Sequence, residues 1–192
     1  MKLEPLTLED MEQIRIWRHA FSETLRTPYM LTREMQEDYY RNTICNRESK
    51  TRYWALVEDS HEEDVSTVYQ PQAVWAHGGR RLCGYGGIEN ISWENSNGEM
   101  SLLIDPARHG KGLGGEAVEL FLAQAFNFLN LHAVHGECYG CGPYKFWEKQ
   151  VEKYKGESTW LPLRKYHAGA YWPSYYFTFE RLGYEHHMRN PG

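Results

Sequence analysis

The stretch Arg108-His109-Gly110-Lys111-Gly112-Leu113-Gly114-Gly115 holds the residue types and spacing most suited to chemistry. It follows a short apolar run, Met100-Ser101-Leu102-Leu103-Ile104, and precedes a helical pattern over residues 116–130. A glycine-rich turn between strand and helix aims several backbone N–H groups at one point, and the helix start adds partial positive charge there. Without Cβ atoms in the way, a ligand can approach the backbone closely. The chemistry this predicts is anion binding, with a phosphate-bearing cofactor as the first expectation.

Two familiar phosphate loops fit poorly. A P-loop needs Ser or Thr after Gly-Lys to hold magnesium, and Lys111 is followed by Gly112. Gly110-x-Gly112-x-x-Gly115 spells the dinucleotide fingerprint, with Glu137 roughly at the downstream distance of the ribose-binding acid. That loop, however, normally opens the first βαβ unit directly after its strand. Here it comes past mid-chain, with Asp105-Pro106-Ala107-Arg108 intervening, and too little chain remains for a second mononucleotide half.

A second set of reactive residues falls away on geometry. His132, His135, Cys138 and Cys141 recur every third residue. On a strand, successive side chains alternate faces, so one ion cannot gather all of them. A single C-x-x-C without a second pair is weak evidence for zinc, and no metal is expected. His186-His187 reads as a polar tail.

The glycine loop is placed by its flanks. His109-Gly110-Lys111-Gly112-Leu113-Gly114 resembles the pyrophosphate loop of the GNAT superfamily of N-acetyltransferases, Gln/Arg-x-x-Gly-x-Gly/Ala. Gly84-Tyr85-Gly86-Gly87-Ile88 and Gly98-Glu99-Met100-Ser101-Leu102-Leu103-Ile104-Asp105-Pro106 resemble that family's third and fourth strands. Residues 116–132 resemble its cofactor helix and the next strand. Phe146-Trp147-Glu148-Lys149 sits where its last helix carries a bulky pair. The resemblance covers residues 1–185 and is strongest over 84–149. His109 takes the usual Gln/Arg place, with Arg108 just before it.

The resemblance implies acetyl transfer from acetyl-CoA to a primary amine by direct attack in a ternary complex. The cofactor would contact Leu103, Ile104 and Asp105 of the fourth strand and His109, Gly110, Lys111, Gly112, Leu113, Gly114 and Gly115 of the loop. A backbone N–H from residues 102–105 would polarise the thioester carbonyl. The amine, with a pKa near ~10, must lose a proton. Glu137 on the fifth strand matches by position a glutamate that acts as base in related enzymes, and Glu99 on the fourth strand is its rival, either of them through water. The family's tyrosine acid corresponds to Trp147, which cannot donate to sulfur in that way. Tyr144, one turn away, is the candidate acid, with Tyr139 and Tyr154 nearby in sequence. The family Asn after the fifth strand is replaced in the Gly140-Cys141-Gly142 region. The competing expectation is a degenerate domain that binds CoA or a partner without turnover. The acceptor class stays open: a small-molecule or peptide amine is expected, and a homodimer is compatible.

The elements that must position these groups are legible in part. The chain has 192 residues, 41% hydrophobic and 15% aromatic, which suits one packed domain. A net charge of -5 argues against bulk nucleic-acid affinity. Arg33, Arg41, Arg47, Lys50 and Arg52 read as a solvated face. No apolar run approaches membrane-span length and no signal peptide is visible, so a cytoplasmic protein is expected. Residues 2–6 predict a strand. Thr7 with Asp10 predicts a cap for a helix bearing Met11, Ile14, Trp17 and Phe21 on one face. Thr32 predicts a second helix through Ile44, and residues 52–58 a strand. The acidic segment over about residues 59–72 reads as a hairpin insertion. Residues 73–76 and 82–93 continue the sheet, and Asn97-Gly98 predicts the turn that pairs 82–93 with 99–104. A stripe of Val118, Phe121, Leu122, Ala125 and Leu129 predicts the buried face of the cofactor helix. Pro143 predicts the start of a helix to about Tyr154, and residues 174–181 a final strand. The sum is α+β: a mixed, mostly antiparallel central sheet flanked by about four helices.

Overall fold

The computed structural model describes residues 1–27, 29–59 and 80–190. The expected acidic insertion at 59–72 and the strand at 73–76 lie almost entirely outside the described residues. The described elements run β1 (Lys2–Pro5), α1 (Leu8–Ala20), α2 (Arg33–Tyr39), β2 (Arg52–Asp59), β3 (Arg80–Ser92), β4 (Asn97–Ile104), α3 (Leu113–Ala123), β5 (Ala133–Tyr139), α4 (Tyr144–Lys153), β6 (Glu157–His167), β7 (Ala170–Glu180) and α5 (Arg181–Arg189). The strands form a seven-stranded sheet in the order β1-β2-β3-β4-β5-β7-β6, so the fold is α+β. All neighbours are antiparallel except β4 and β5.

Local sequence explains most of these elements. Thr7 and Asp10 cap α1 reciprocally: the Thr7 amide donates to Asp10 Oδ2 at 2.8 Å and the Asp10 amide to Thr7 Oγ1 at 3.3 Å. Met11, Ile14 and Trp17 then bury one face of the helix. They pack with Ala55, Val57, Tyr85 and Leu103 on one side of the sheet. On the other side α3 and α4 bring Val118, Phe121, Trp147 and Val151 against Leu56, Ile88, Val134, Phe177 and Phe179.

The sheet has one seam. β4 and β5 run parallel and pair only from Asn97↔Ala133 to Glu99↔His135. Beyond that point β4 continues to Ile104 and β5 to Tyr139 without pairing to each other. The two strands therefore part just past Glu99.

Several expectations need correction. Asn97-Gly98 does not make the hairpin turn: residues 93–96 turn, with left-handed φ at Ser96 (50°), and Asn97 opens β4. Gly98 serves packing instead, since a Cβ there would meet Ile88 Cγ2 at 2.5 Å. The helix after the glycine loop, α3, is not uniform to residue 130. It widens into a π-helical turn over Gln124–Phe128, where the Leu129 amide donates to Gln124 O at 2.9 Å. The extra residue rotates the stripe, burying Phe126 beside Ala125 and leaving Leu129 half-buried. The last strand is longer than residues 174–181 and pairs with β6, for which the sequence pattern predicts no element. The connection is Ala168-Gly169, with φ of 51° and 81°. His186-His187 lies in α5, which makes five α-helices among the described residues where about four were expected.

Candidate active site

One cleft of about 1000 Å³ runs from the glycine loop, along the parted end of β4, to the face covered by α1 and the loop after it. The loop end is built by backbone. Gly112 caps α3 with φ 83°, and Gly110 has φ 79°, conformations that glycine adopts without strain. A Cβ on either would meet nothing within 4 Å, so both face open space. The amides of Gly110, Lys111, Gly112, Leu113 and Gly114 find no hydrogen-bond acceptor among the described residues. Five donors at a helix start, beside open space, form a cradle suited to an anion. Gly114 has a second role: a Cβ there would stand 3.1 Å from Phe146 Cε2, so its smallness lets α4 pack onto α3.

Side chains around the loop are largely committed to the fold. Arg108 forms an ion pair with Glu58. His109 Nε2 lies 3.1 Å from Ile104 O, and its ring stacks on Phe21 at 5.2 Å. Lys111 is exposed and does not line the cleft. Leu103, Ile104, His109, Gly110, Gly112, Leu113, Gly114 and Gly115 all line it. Asp105 stands apart from this group. Its amide donates to Cys83 O at 2.9 Å and its carboxylate accepts from the Ala107 amide at 3.0 Å, so it shapes the turn into the loop.

At the far end the cleft gathers three carboxylates on one face of the sheet. Alternation puts Glu89 of β3, Glu99 of β4 and Glu137 of β5 on the side of α1. Glu99 and Glu137 are each gripped. Arg26, from the loop after α1, donates through Nη1 to Glu99 Oε2 at 3.0 Å and pairs through Nη2 with Glu99 Oε1. The same Nη2 stands 3.5 Å from Glu137 Oε2. Asn90 Nδ2 donates to Glu99 at 3.0 Å. Glu137 Oε1 accepts from Ser174 Oγ at 2.6 Å and from Arg164 Nε at 2.9 Å. Burial alone would raise the Glu137 pKa, but the hydrogen bonds from Arg164 and Ser174 and the nearby guanidinium charges bring it below the ordinary carboxylate value. A carboxylate so held is a weak base.

Glu89 escapes the sequence reading, and it differs. It is the direct cross-strand partner of Glu99. Burial raises its pKa; a hydrogen bond from Tyr53 lowers it, the charge of Glu99 raises it, and Arg26 and Arg18 lower it, for a net rise above the ordinary value. Like charges opposite each other on neighbouring strands disfavour double ionisation, which adds to the effect of burial. The only sequence signal is its two-residue alternation with Tyr85 and Gly87, which shows a shared face but no partner.

The tyrosines also sort differently from expectation. Tyr144 does not line the cleft. Its ring meets the edge of Trp160 at 5.2 Å. Trp147 does line the cleft and is buried, stacked on Phe177 at 4.5 Å. Tyr139 faces the cleft, with Lys165 Nζ 4.9 Å over its ring. Tyr154 is fully buried. The four cysteines are free, and no cluster of metal-ligating side chains occurs among the described residues. No helix among the described residues is long and apolar enough to cross a membrane.

Comparison with known proteins bears on the fold and the family. No curated protein sequence matches the chain. The structure is similar to mutant forms of the spermidine/spermine N-acetyltransferase SpeG from Vibrio cholerae, with TM-score 0.75, 16% identity and 97% of each chain covered. It is also similar to the Vibrio cholerae spermidine N-acetyltransferase in complex with CoA and spermine, with TM-score 0.71, 16% identity, 96% of this chain and 97% of that one. At such identity the likeness establishes the fold. The family is established by sequence, because the model of the acetyltransferase (GNAT) domain matches residues 1–140: the chain belongs to the GNAT acetyltransferase family.

Proposed function

We propose that this protein is an acetyl-CoA-dependent N-acetyltransferase that acetylates a primary amine by direct attack, with donor and acceptor held together. The observation that carries this reading is the single cleft joining the unpaired amides at residues 110–114 to the carboxylates beside the seam. When bound, acetyl-CoA supplies an acetyl thioester. The loop amides would hold its pyrophosphate, and the parted edge of β4 would accept its extended arm alongside Leu103 and Ile104. Fixed backbone dipoles there would stabilise charge developing on the thioester oxygen. The Asp105 amide is already paired with Cys83 O, and by alternation the Leu103 amide also faces β3, so the donor we assign is the amide of Leu102 or Ile104.

A covalent relay through Cys138 is disfavoured. Cys138 lines the cleft, but burial pushes its thiol up to about 12, so it stays protonated. The base we assign is Glu89 rather than Glu137 or Glu99. Its raised pKa lets it take a proton from the acceptor ammonium, directly or through water, while its two neighbours are occupied by Arg26, Arg164 and Ser174. The thiol product has a pKa near ~8.5 and leaves without an obligatory acid.

Thiol release from acetyl-CoA over a panel of amines tests this. Turnover with at least one amine is expected. The acidic limb of kcat/KM should lie above the ordinary carboxylate range, because the base must be deprotonated and its pKa is raised. Glu89→Gln should lower turnover about 10²- to 10⁴-fold at neutral pH, recovering toward pH ~10, where the amine deprotonates itself. Larger, pH-dependent losses in Glu137→Gln or Glu99→Gln would move the base there. Tight acetyl-CoA binding with no release for any amine would leave a binding module.

A further inference from the structure

Most guanidinium groups at and around the cleft are matched by carboxylates. Arg26 is shared between Glu99 and Glu137, Arg164 pairs with Glu137, Arg108 with Glu58, and Arg80 with Asp10 and Glu4. Arg18 is different. It projects from α1 into the cleft, and no carboxylate among the described residues comes within ion-pair distance of it. Its Nη1 donates to Tyr85 Oη at 2.8 Å and its Nη2 to Thr27 Oγ1 at 2.9 Å, both neutral acceptors. Its Nε is buried with no partner. Each terminal nitrogen retains a further proton, so the fork keeps donors to spare.

Keeping this charge out of water is costly unless a counter-charge arrives. The surroundings do not discharge it. Burial lowers the Arg18 pKa, but its phenol neighbours, Tyr85 first, more than offset this, and the group stays cationic. Burial also holds the phenols of Tyr39 and Tyr53 above their ordinary value, so these cleft residues are neutral donors and not counter-ions. Two poles result along one face of the cleft. Glu89, whose neighbour Glu99 is already held by Arg26, makes the pole for an ammonium, and Arg18 with its tyrosine neighbours makes a pole for an anion. Tyr85 and Glu89 lie four residues apart on β3, about 13 Å by strand rise.

We propose that Arg18 anchors an anionic group of the acceptor, and that the acceptor is an amine carrying a carboxylate several bonds away, such as an ω-amino acid or a short peptide. A planar carboxylate matches the guanidinium fork. A polyamine, the kind of ligand named for one of the similar structures, would bring a second cation toward Arg18, which has no carboxylate partner among the described residues. This assignment rests on the acetyltransferase reading and names its substrate class.

The test compares ω-amino acids of graded length and short peptides with the matching uncharged alkylamines, diamines, spermidine and aminoalkyl phosphates, by thiol release. Carboxylate-bearing acceptors should show the lower KM. Arg18→Gln should raise that KM about 10- to 100-fold, the range spanned by a hydrogen bond to a charged group, while leaving the KM for acetyl-CoA within about twofold and changing the KM for uncharged amines far less than that for carboxylate-bearing ones. Arg18→Lys should recover part of the loss, and Tyr85→Phe should give a smaller loss of the same kind should Arg18→Gln fail to fold. A better aminoalkyl phosphate, equally sensitive to position 18, would keep the anchor and change the anion. Equal KM values with and without the anion, or a preference for spermidine, would overturn the proposal. A binding measurement separates it from the catalytic reading. N-acetylated ω-amino acids should bind the CoA-loaded protein at least tenfold more tightly than N-acetylated alkylamines, and lose that advantage in Arg18→Gln. Equal affinities would refute the anchor whether or not any amine turns over.

Discussion

Replacing Gly112 by Ala isolates the glycine loop from the rest of the cleft. Gly112 caps α3 at φ 83° and ψ −11°, and a Cβ there would touch nothing within 4 Å. The cost to the free protein is therefore backbone strain alone, about 1–2 kcal/mol for an L-residue in the left-handed region. For a chain of 192 residues that is a fall in Tm of about 2–8 °C. The new methyl would occupy the space open to a pyrophosphate and displace it from the amides of residues 110–114. Loss of one hydrogen bond to a charged group costs about 1.5–3 kcal/mol, or roughly 10- to 100-fold in Kd. Calorimetry should show this loss for acetyl-CoA. S-acetylpantetheine, which lacks the phosphates, should bind both proteins alike, though weakly. Equal losses for the two thioesters would mean that the substitution distorts the whole cleft. An unchanged acetyl-CoA affinity in a folded Gly112→Ala protein would refute the loop as the pyrophosphate site.

Tyr144→Phe should change kcat less than threefold, because the ring packs against Trp160 away from the cleft; if departure of the thiol needs an acid, Tyr139→Phe is the variant that should lose about 10²-fold. Iodoacetamide at pH 8 with peptide mass mapping should label exposed Cys45 well ahead of Cys83 and Cys138, whose thiols burial pushes up to about 11 and about 12, leaving only about 0.1% and 0.01% as thiolate; rapid labelling of Cys138 would show that the core beneath β5 opens.

The features legible in the sequence are local ones. The capping pair Thr7 and Asp10, the alternation of β2 to β5 and the glycines before α3 each act within a few residues, and each can be read in place. Three features depend on distant chain. The π-helical turn at 124–128 suits how Phe126 meets the core and Tyr184, which no helical periodicity encodes. The strand β6 hides behind Pro162 and a run of polar residues, because its pairing is set by β7 and its register shifts between Leu161 and Lys165. The strength of Glu137 as a base is reversed by Arg26, Arg164 and Ser174, which lie 27 to 111 residues away in sequence and share no motif with it. Glu89 becomes visible only when the β3–β4 register sets it opposite Glu99.

The family match ends at residue 140, one residue past the end of β5. The cradle lies before that point. The remaining C-terminal segment supplies Arg164, Lys165 and Ser174, which tie Glu137 and the Leu25 carbonyl to the β6–β7 hairpin. The far end of the cleft is thus stitched from both stretches, with Glu89, Glu99 and Arg26 from the matched part and the ties on Glu137 from the hairpin beyond it. A change in the hairpin would reach Glu137 through Arg164 and Ser174 while leaving the backbone of the glycine loop untouched. Exchanging the 157–180 hairpin would accordingly re-set how firmly Glu137 is held without disturbing the loop amides or the β3–β4 pair of Glu89 and Glu99.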